Sequence, residues 1–111
     1  MRANGSPVGV LFSEVYELKE THDRAMYYIY ILKSKLDQKL YTGYTSDLKK
    51  RLKDHQMGNV ESTKNRRPLE LVYYEAYQYK KLALKREKFL KTTRGKLQLR
   101  KQLGVAALVH R

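Results

Sequence analysis

The sequence predicts an α/β domain of the α+β kind: a small three-stranded, mostly antiparallel sheet flanked by helices. Three observations predict it. The chain has 111 residues, which is one domain by length, since two halves would each be too small to bury a useful core. It holds three short runs of β-forming residues, the first two close enough together to form a hairpin. Around them lie stretches with helical apolar spacing and with start and stop signals. The order is strand, strand, helix, strand, helix, helix.

The first strand is 27–33 (YYIYILK), a run that suits burial on both faces. Residues 34–39 contain Asp37 and read as a turn, and 40–45 (LYTGYT) as the second strand. A turn centred near Leu36 and Asp37 sets Tyr30 opposite Gly43. The period of two then puts Tyr30 and Tyr41 on the same face, beside the gap that glycine leaves. Ser46 is the expected N-cap of a helix over 47–57, with Asp47 in its first turn and Gly58 as its stop. Leu48 and Leu52 mark its buried stripe, and Arg51 and His55 are neighbours at the rim. A polar loop, 58–67, runs to Pro68, and the third strand is 69–78 (LELVYYEAYQ). The second long helix is expected over 79–93, with Leu82, Ala83, Phe89 and Leu90 inward and Gly95 breaking it. A last helix, 96–103, ends before Gly104. Outside this domain, 26–104, residues 1–25 read as an extension, polar at its start and weakly helical over 14–24. Residues 105–111 read as a tail that packs or frays.

Lysine and arginine number 24 against 11 acidic residues, a formal net charge of +13. So much positive charge on so small a domain points to a polyanionic partner. The absence of cysteine excludes disulfides, iron–sulfur clusters, thiolate zinc sites and a cysteine nucleophile. Apolar runs of about five residues fall far short of the ~20 a membrane helix needs, and none resembles a secretory signal. The expected compartment is the cytoplasm. Ten tyrosines stand beside two phenylalanines and no tryptophan. Most suit strands, and tyrosine among basic residues also suits a surface that meets bases and phosphates.

Few polar residues are badly placed for folding alone. Glu87 lies four after Ala83 and three before Leu90, on or beside the buried stripe of a lysine-rich helix. It reads either as an exposed glutamate paired with Lys91 at i,i+4 or as a divalent-metal ligand, since Mg²⁺ is commonly held by one carboxylate with water and phosphate oxygens. Arg51 is either part of a solvated face with Lys49, Lys50 and Lys53, or a guanidinium that holds a phosphate oxygen. Tyr30 and Tyr41 are either sheet core or phenols that reach a phosphodiester or its attacking water. A lone histidine such as His55 is more often structural.

These residues fall into an ordered set. Tyr28-Ile29-Tyr30 followed by Tyr41-Thr42-Gly43 resembles the paired signature of the GIY-YIG nuclease superfamily. The segment 45–52 (TSDLKKRL) resembles that family's first helix with its arginine. Arg66-Arg67-Pro68 before a tyrosine-rich strand, and 84–88 (LKREK), are similar to the single-domain branch related to the N-terminal nuclease domain of the excision enzyme UvrC. The resemblance covers about residues 26–100. It departs at Tyr28, where the signature has glycine, at Thr42, where it has isoleucine or valine, and at Tyr44, where the excision enzyme has lysine.

The resemblance implies the same three-stranded fold and a set of roles. One of Tyr30 and Tyr41 would serve or assist the general base and the other would contact the phosphate or the water. Arg51 would stabilise the pentavalent phosphate, His55 would help orient the nucleophile, and Glu87 would be the protein's ligand to one Mg²⁺ or Mn²⁺ ion. The expected function is a metal-dependent DNA endonuclease, with structure selectivity and a link to DNA repair or recombination among its expected properties. Lys49, Lys50, Lys53, Lys64, Arg66, Arg67, Lys85 and Arg86 are expected on backbone phosphate, which positions a duplex without reading it. The chain is read as a monomer, with RNA and a targeting partner protein left open. A non-catalytic DNA- or RNA-binding module on the same fold is the alternative. Attachment to a membrane surface is disfavoured, because the lysine-rich helices spend their leucines inside the fold.

Overall fold

In the computed structural model, which describes residues 25–104, the hairpin is formed by β1 (Tyr27–Ser34) and β2 (Leu40–Thr45). Helix α1 (Leu48–Gln56), strand β3 (Leu69–Tyr77), and helices α2 (Lys80–Leu90) and α3 (Thr93–Leu103) follow. A 3₁₀ turn, Lys64–Arg66, lies in the loop before β3. The sheet order is β2-β1-β3 with both pairings antiparallel. The expected helix over residues 14–24 and the tail from 105 lie outside the described residues.

The central strand β1 is covered on both faces, as its unbroken apolar run requires. Ile29 and Ile31 pack with Ala83, Leu90, Leu99 and Leu103 of α2 and α3. Tyr28, Tyr30 and Leu32 pack on the other face with Leu48 and Leu52 of α1. A bulge in the β1–β3 register decides which side of β3 serves which core: Ile31 pairs with Tyr73 but Leu32 with Leu71. The extra residue shifts the alternation, so Tyr74, Leu71 and Leu69 all reach the Tyr30 face. Burying these apolar side chains is the main source of stability.

Four local expectations are corrected. The N-cap of α1 is Asp47 rather than Ser46: Lys50 N–H donates to its Oδ1 at 3.2 Å, and Thr45 Oγ1 accepts from Asp47 N–H at 3.0 Å. Gly95 does not break the second long helix. That helix ends at Leu90, and Thr92 caps the next one by accepting from Gly95 N–H at 3.0 Å. Gly95 lies inside α3 because a side chain there would run into the Phe89 carbonyl. Leu82 faces outward at 47% exposure, since α2 turns Ala83 and Leu90 to the sheet. The fourth correction, His55, belongs to the site.

Candidate functional site

The sheet face under α1 gathers four of the expected site residues. Tyr30 pairs with Gly43 across the hairpin, as the turn position predicts. The space left by that glycine is filled by Tyr30 itself: a Cβ on Gly43 would collide with the tip of the Tyr30 ring. Tyr41 stands opposite Leu32 on the same face, its ring centroid 6.3 Å from that of Tyr30. Helix α1 crosses above them and lowers Arg51 and His55, one turn apart, onto the two phenols.

His55 is not at the rim. It is 1% exposed, with its ring edge-on to Tyr30 and Tyr41 at 5.5 and 5.3 Å. Its Nε2 lies 2.8 Å from the Tyr30 hydroxyl and its Nδ1 lies 2.7 Å from Thr63 Oγ1. Thr63 is fully buried just before the 3₁₀ turn. Sequence reasoning missed it because the loop reads as uniformly polar. A lone threonine eight residues beyond a histidine carries no periodic signal.

One proton pattern gives each of these contacts a donor and an acceptor. Arg51 Nε–H can only donate, and it points at Tyr30 Oη at 3.3 Å. Tyr30 then gives its own proton to His55 Nε2, and His55 Nδ1–H donates to Thr63. This assignment pairs the Tyr30 proton and both imidazole nitrogens with a neutral ring. Burial, then the nearby Arg51 charge, lowers the His55 pKa to about 4, against a smaller opposing effect of Asp54. Burial pushes the Tyr30 phenol up to about 12, against the hydrogen bond from Arg51. Arg51 is held charged, chiefly by that hydrogen bond, and Tyr41 adds to the effect. The array is therefore a neutral Tyr–His–Thr chain under one fixed cation.

Glu87 reaches this cluster differently. It lies on α2, which packs on the opposite face of the sheet, and its side chain is 21% exposed with Lys91 Nζ at 3.0 Å. The i,i+4 pairing is thus present, and so is partial burial. The Glu87 charge is felt at Tyr30 and at Tyr44 of the edge strand, raising both phenols. Among the described residues no group of three or more His, Cys, Asp or Glu could hold a metal ion. A lone, mostly buried carboxylate does not suit zinc, which needs several protein ligands. It does suit Mg²⁺ held by one carboxylate, with water and substrate phosphate as the other ligands. Lys91 is the group that would have to give way.

The basic residues divide. Lys49, Lys50 and Lys53 share α1 with Arg51, with Lys50 3.6 Å from Asp54. Lys64, Arg66 and Arg67 lie past the far end of that helix. Lys64 meets Glu61 at 3.3 Å and Arg66 meets Asp37 at 3.4 Å, while Arg67 donates to the Lys64 and Gln56 carbonyls. Lys85 is exposed on α2. Arg86 is committed elsewhere: Nε and Nη2 donate to the two oxygens of Glu75 at 3.1 and 3.2 Å. No helix among the described residues is long and apolar enough to cross a membrane.

Residues 26–101 match the GIY-YIG catalytic domain family. The chain is 47% identical over 77 residues to the UPF0213 protein CPE1444 of Clostridium perfringens, covering 67% of this chain and 82% of that one. It is 51% identical over 67 residues to the UPF0213 protein SSP2268 of Staphylococcus saprophyticus, covering 60% and 80%. The solution NMR structure of the UPF0213 protein BH0048 from Bacillus halodurans aligns with a TM-score of 0.47 at 36% identity, over 74% of this chain and 89% of that one. With the match running from the first strand into the last helix, the chain belongs to the GIY-YIG family of nuclease-type catalytic domains.

Proposed function

We propose that the protein is a divalent-metal-dependent endonuclease that hydrolyses phosphodiester bonds in DNA. The observation that supports this reading best is the Arg51–Tyr30–His55–Thr63 chain, a proton path buried where folding alone would put apolar side chains, under a part-buried cation. Arg51 covers the Tyr30 oxygen in the free protein. A scissile phosphate draws the guanidinium to its own oxygens, where it stabilises the charge that builds up at phosphorus. The movement uncovers Tyr30 for a water. As the water oxygen bonds to phosphorus, its proton passes to Tyr30 Oη and the Tyr30 proton passes to His55 Nε2. The leaving oxygen takes a proton from solvent.

His55 is neutral at physiological pH and so open to that proton. The arriving anionic phosphate raises its proton affinity, since a nearby negative charge favours the charged form. Tyr41, half-buried beside Arg51, contacts the phosphate and the water. Glu87 is the residue that would hold Mg²⁺ or Mn²⁺, which supplies charge neutralisation at the phosphate. Lys49, Lys50 and Lys53 supply phosphate contacts along the duplex. Selection of substrate by DNA structure, and a role in repair or recombination, are part of the same proposal.

The test is incubation of purified protein with branched, single-stranded and duplex DNA, with and without Mg²⁺ or Mn²⁺. Metal-dependent cleavage is expected, falling at least about 100-fold in Glu87→Gln and Arg51→Ala. Cleavage unchanged in both variants rejects this site. Salt-sensitive binding with no cleavage under any metal leaves a basic nucleic-acid-binding module instead.

A further inference from the structure

An open cavity of about 510 Å³ lies at the C-terminal end of α1, lined by Gln56, Lys64, Asn65, Arg67, Pro68 and Leu69. Two of its lining residues follow members of the array described above in the chain. Gln56 follows His55, and Lys64 follows Thr63, so the His55–Thr63 hydrogen bond ties together the two segments that bound it. Leu69 packs into the same core as Tyr30, which sets the cavity on the Tyr30 face of the sheet.

The lining has three kinds of surface. Pro68 and Leu69 offer apolar area, and the Gln56 and Asn65 amides carry both donors and acceptors. Arg67 contributes a planar guanidinium. Its Nε donates to the Lys64 carbonyl at 3.0 Å, its Nη1 donates to the Gln56 carbonyl at 3.4 Å, and its guanidinium lies against Gly58, where a Cβ would collide with it. Gly58 has φ +79°, so this close approach is built on a glycine conformation other residues adopt only with strain. Lys64 adds a cation, paired with Glu61 at 3.3 Å, which a phosphate would take over from that carboxylate.

A guanidinium plane, an apolar floor, two amides and a cation make up the chemistry that receives a nucleobase and its phosphate. The volume lies in the range that holds a small organic ligand. We infer that this cavity is a subsite for one unpaired nucleotide of the DNA substrate, next to the phosphate that is cut. The inference rests on the proposed nuclease reading for its place beside the scissile phosphate. It adds a reason for structure selectivity: a base in a duplex cannot enter, whereas one at a flap, gap or single-stranded end can do so without the cost of unstacking.

Binding is measured in EDTA, which separates this question from catalysis. The probes are a duplex with a short single-stranded flap and the matching full duplex, each carrying 2-aminopurine at the junction nucleotide. The flap probe is expected to bind more tightly than the duplex, with a 2-aminopurine fluorescence change on the flap alone. Asn65→Ala and Gln56→Ala, both at exposed positions, are expected to weaken flap binding by about tenfold and to leave duplex binding unchanged. Arg67→Lys, which keeps the charge and loses the plane, is expected to reduce the fluorescence change. Equal binding of the two probes, or flap binding that both alanine variants leave intact, overturns the subsite. If these binding results hold and no metal supports cleavage, the subsite stands and the nuclease reading falls. If cleavage occurs and the binding results fail, the reverse applies.

Discussion

Tyr30 and His55 share a hydrogen bond of 2.8 Å in which neither residue is more than 1% exposed. Burial, and after it the nearby Arg51 charge, hold the imidazole neutral, with a pKa of about 4. In the unfolded chain an ordinary histidine titrates near about 6.5. Between these values the unfolded chain takes up a proton that the folded protein refuses. Stability therefore falls as the pH is lowered from about 6.5 towards 4, by up to about 3 kcal/mol from this residue, and this contribution levels off below that. Urea unfolding from pH 4 to 8 is expected to show the slope in the parent protein and to lose most of it in His55→Phe. The acid limb of kcat/KM, if His55 is the proton's acceptor, falls near pH 4. A limb near pH 6.5 in a folded enzyme excludes it from that role.

The two phenols are expected to separate on substitution. Tyr30→Phe leaves the buried His55 Nε2 unpaired and takes a partner from the part-buried Arg51 Nε–H, which costs about 1–3 kcal/mol. Tyr41 is half-buried, and Tyr41→Phe is expected to cost less than about 1 kcal/mol. Both variants are expected to lose at least about 100-fold in cleavage, Tyr30→Phe by breaking the proton path and Tyr41→Phe by losing its contact with water and phosphate. Denaturation midpoints and single-turnover rates of the two proteins check this. Full activity in a stably folded Tyr30→Phe removes the relay.

Gly43 is tied to the same ring. An alanine there puts a Cβ onto the Tyr30 ring tip, and the ring, packed under α1, has little room to yield. Gly43→Ala is expected to cost about 1–3 kcal/mol by overpacking and to pull Tyr30 off His55. The readout is the His55 imidazole followed by NMR titration, which is expected to move from about 4 back towards its ordinary value. An unmoved titration with lost activity points to a direct need for space at Gly43.

What the sequence discloses and what it conceals divide along the range of the interactions. The hairpin register, the buried stripe of α1 and the end of α3 at Gly104 follow from short-range rules: a turn position, a helical period, a left-handed C-cap at φ 69°. His55 needs Thr63 from a loop that its own composition does not distinguish. Arg86 reads as a phosphate contact until β3 brings Glu75 beneath it, and that contact depends on the strand's register against β1. Gly95 reads as a helix breaker until the Phe89 carbonyl is seen to demand its bare Cα inside a helix. The family signature carries the identity of the paired residues without carrying their burial. The rim position expected for His55 therefore gave way to a buried one.

Glu75 supplies the last prediction. Its carboxylate accepts from Tyr73 at 2.6 Å, from Tyr77 at 2.5 Å and from both ends of the Arg86 fork, and Gln102 donates to the Tyr73 hydroxyl beyond. Burial alone would raise its pKa, but the hydrogen bonds from Tyr73, Tyr77 and Arg86 outweigh it and leave the carboxyl below its ordinary value. Glu75 stands opposite Ile29, on the sheet face away from Tyr30, so this cluster is a fastening between β3, α2 and α3. Its contribution is complete above the unfolded carboxyl pKa of about 4.3 and is lost as the pH falls through the lower folded value. Glu75→Gln keeps the shape but leaves the Arg86 charge without its partner, which costs about 2–4 kcal/mol at neutral pH and removes the acid step below about pH 4. Cleavage per folded molecule is expected to stay at the parent level at a temperature where the variant is folded. Loss of cleavage in that folded variant, measured beside its circular dichroism, reassigns the Glu75 cluster from fastening to chemistry.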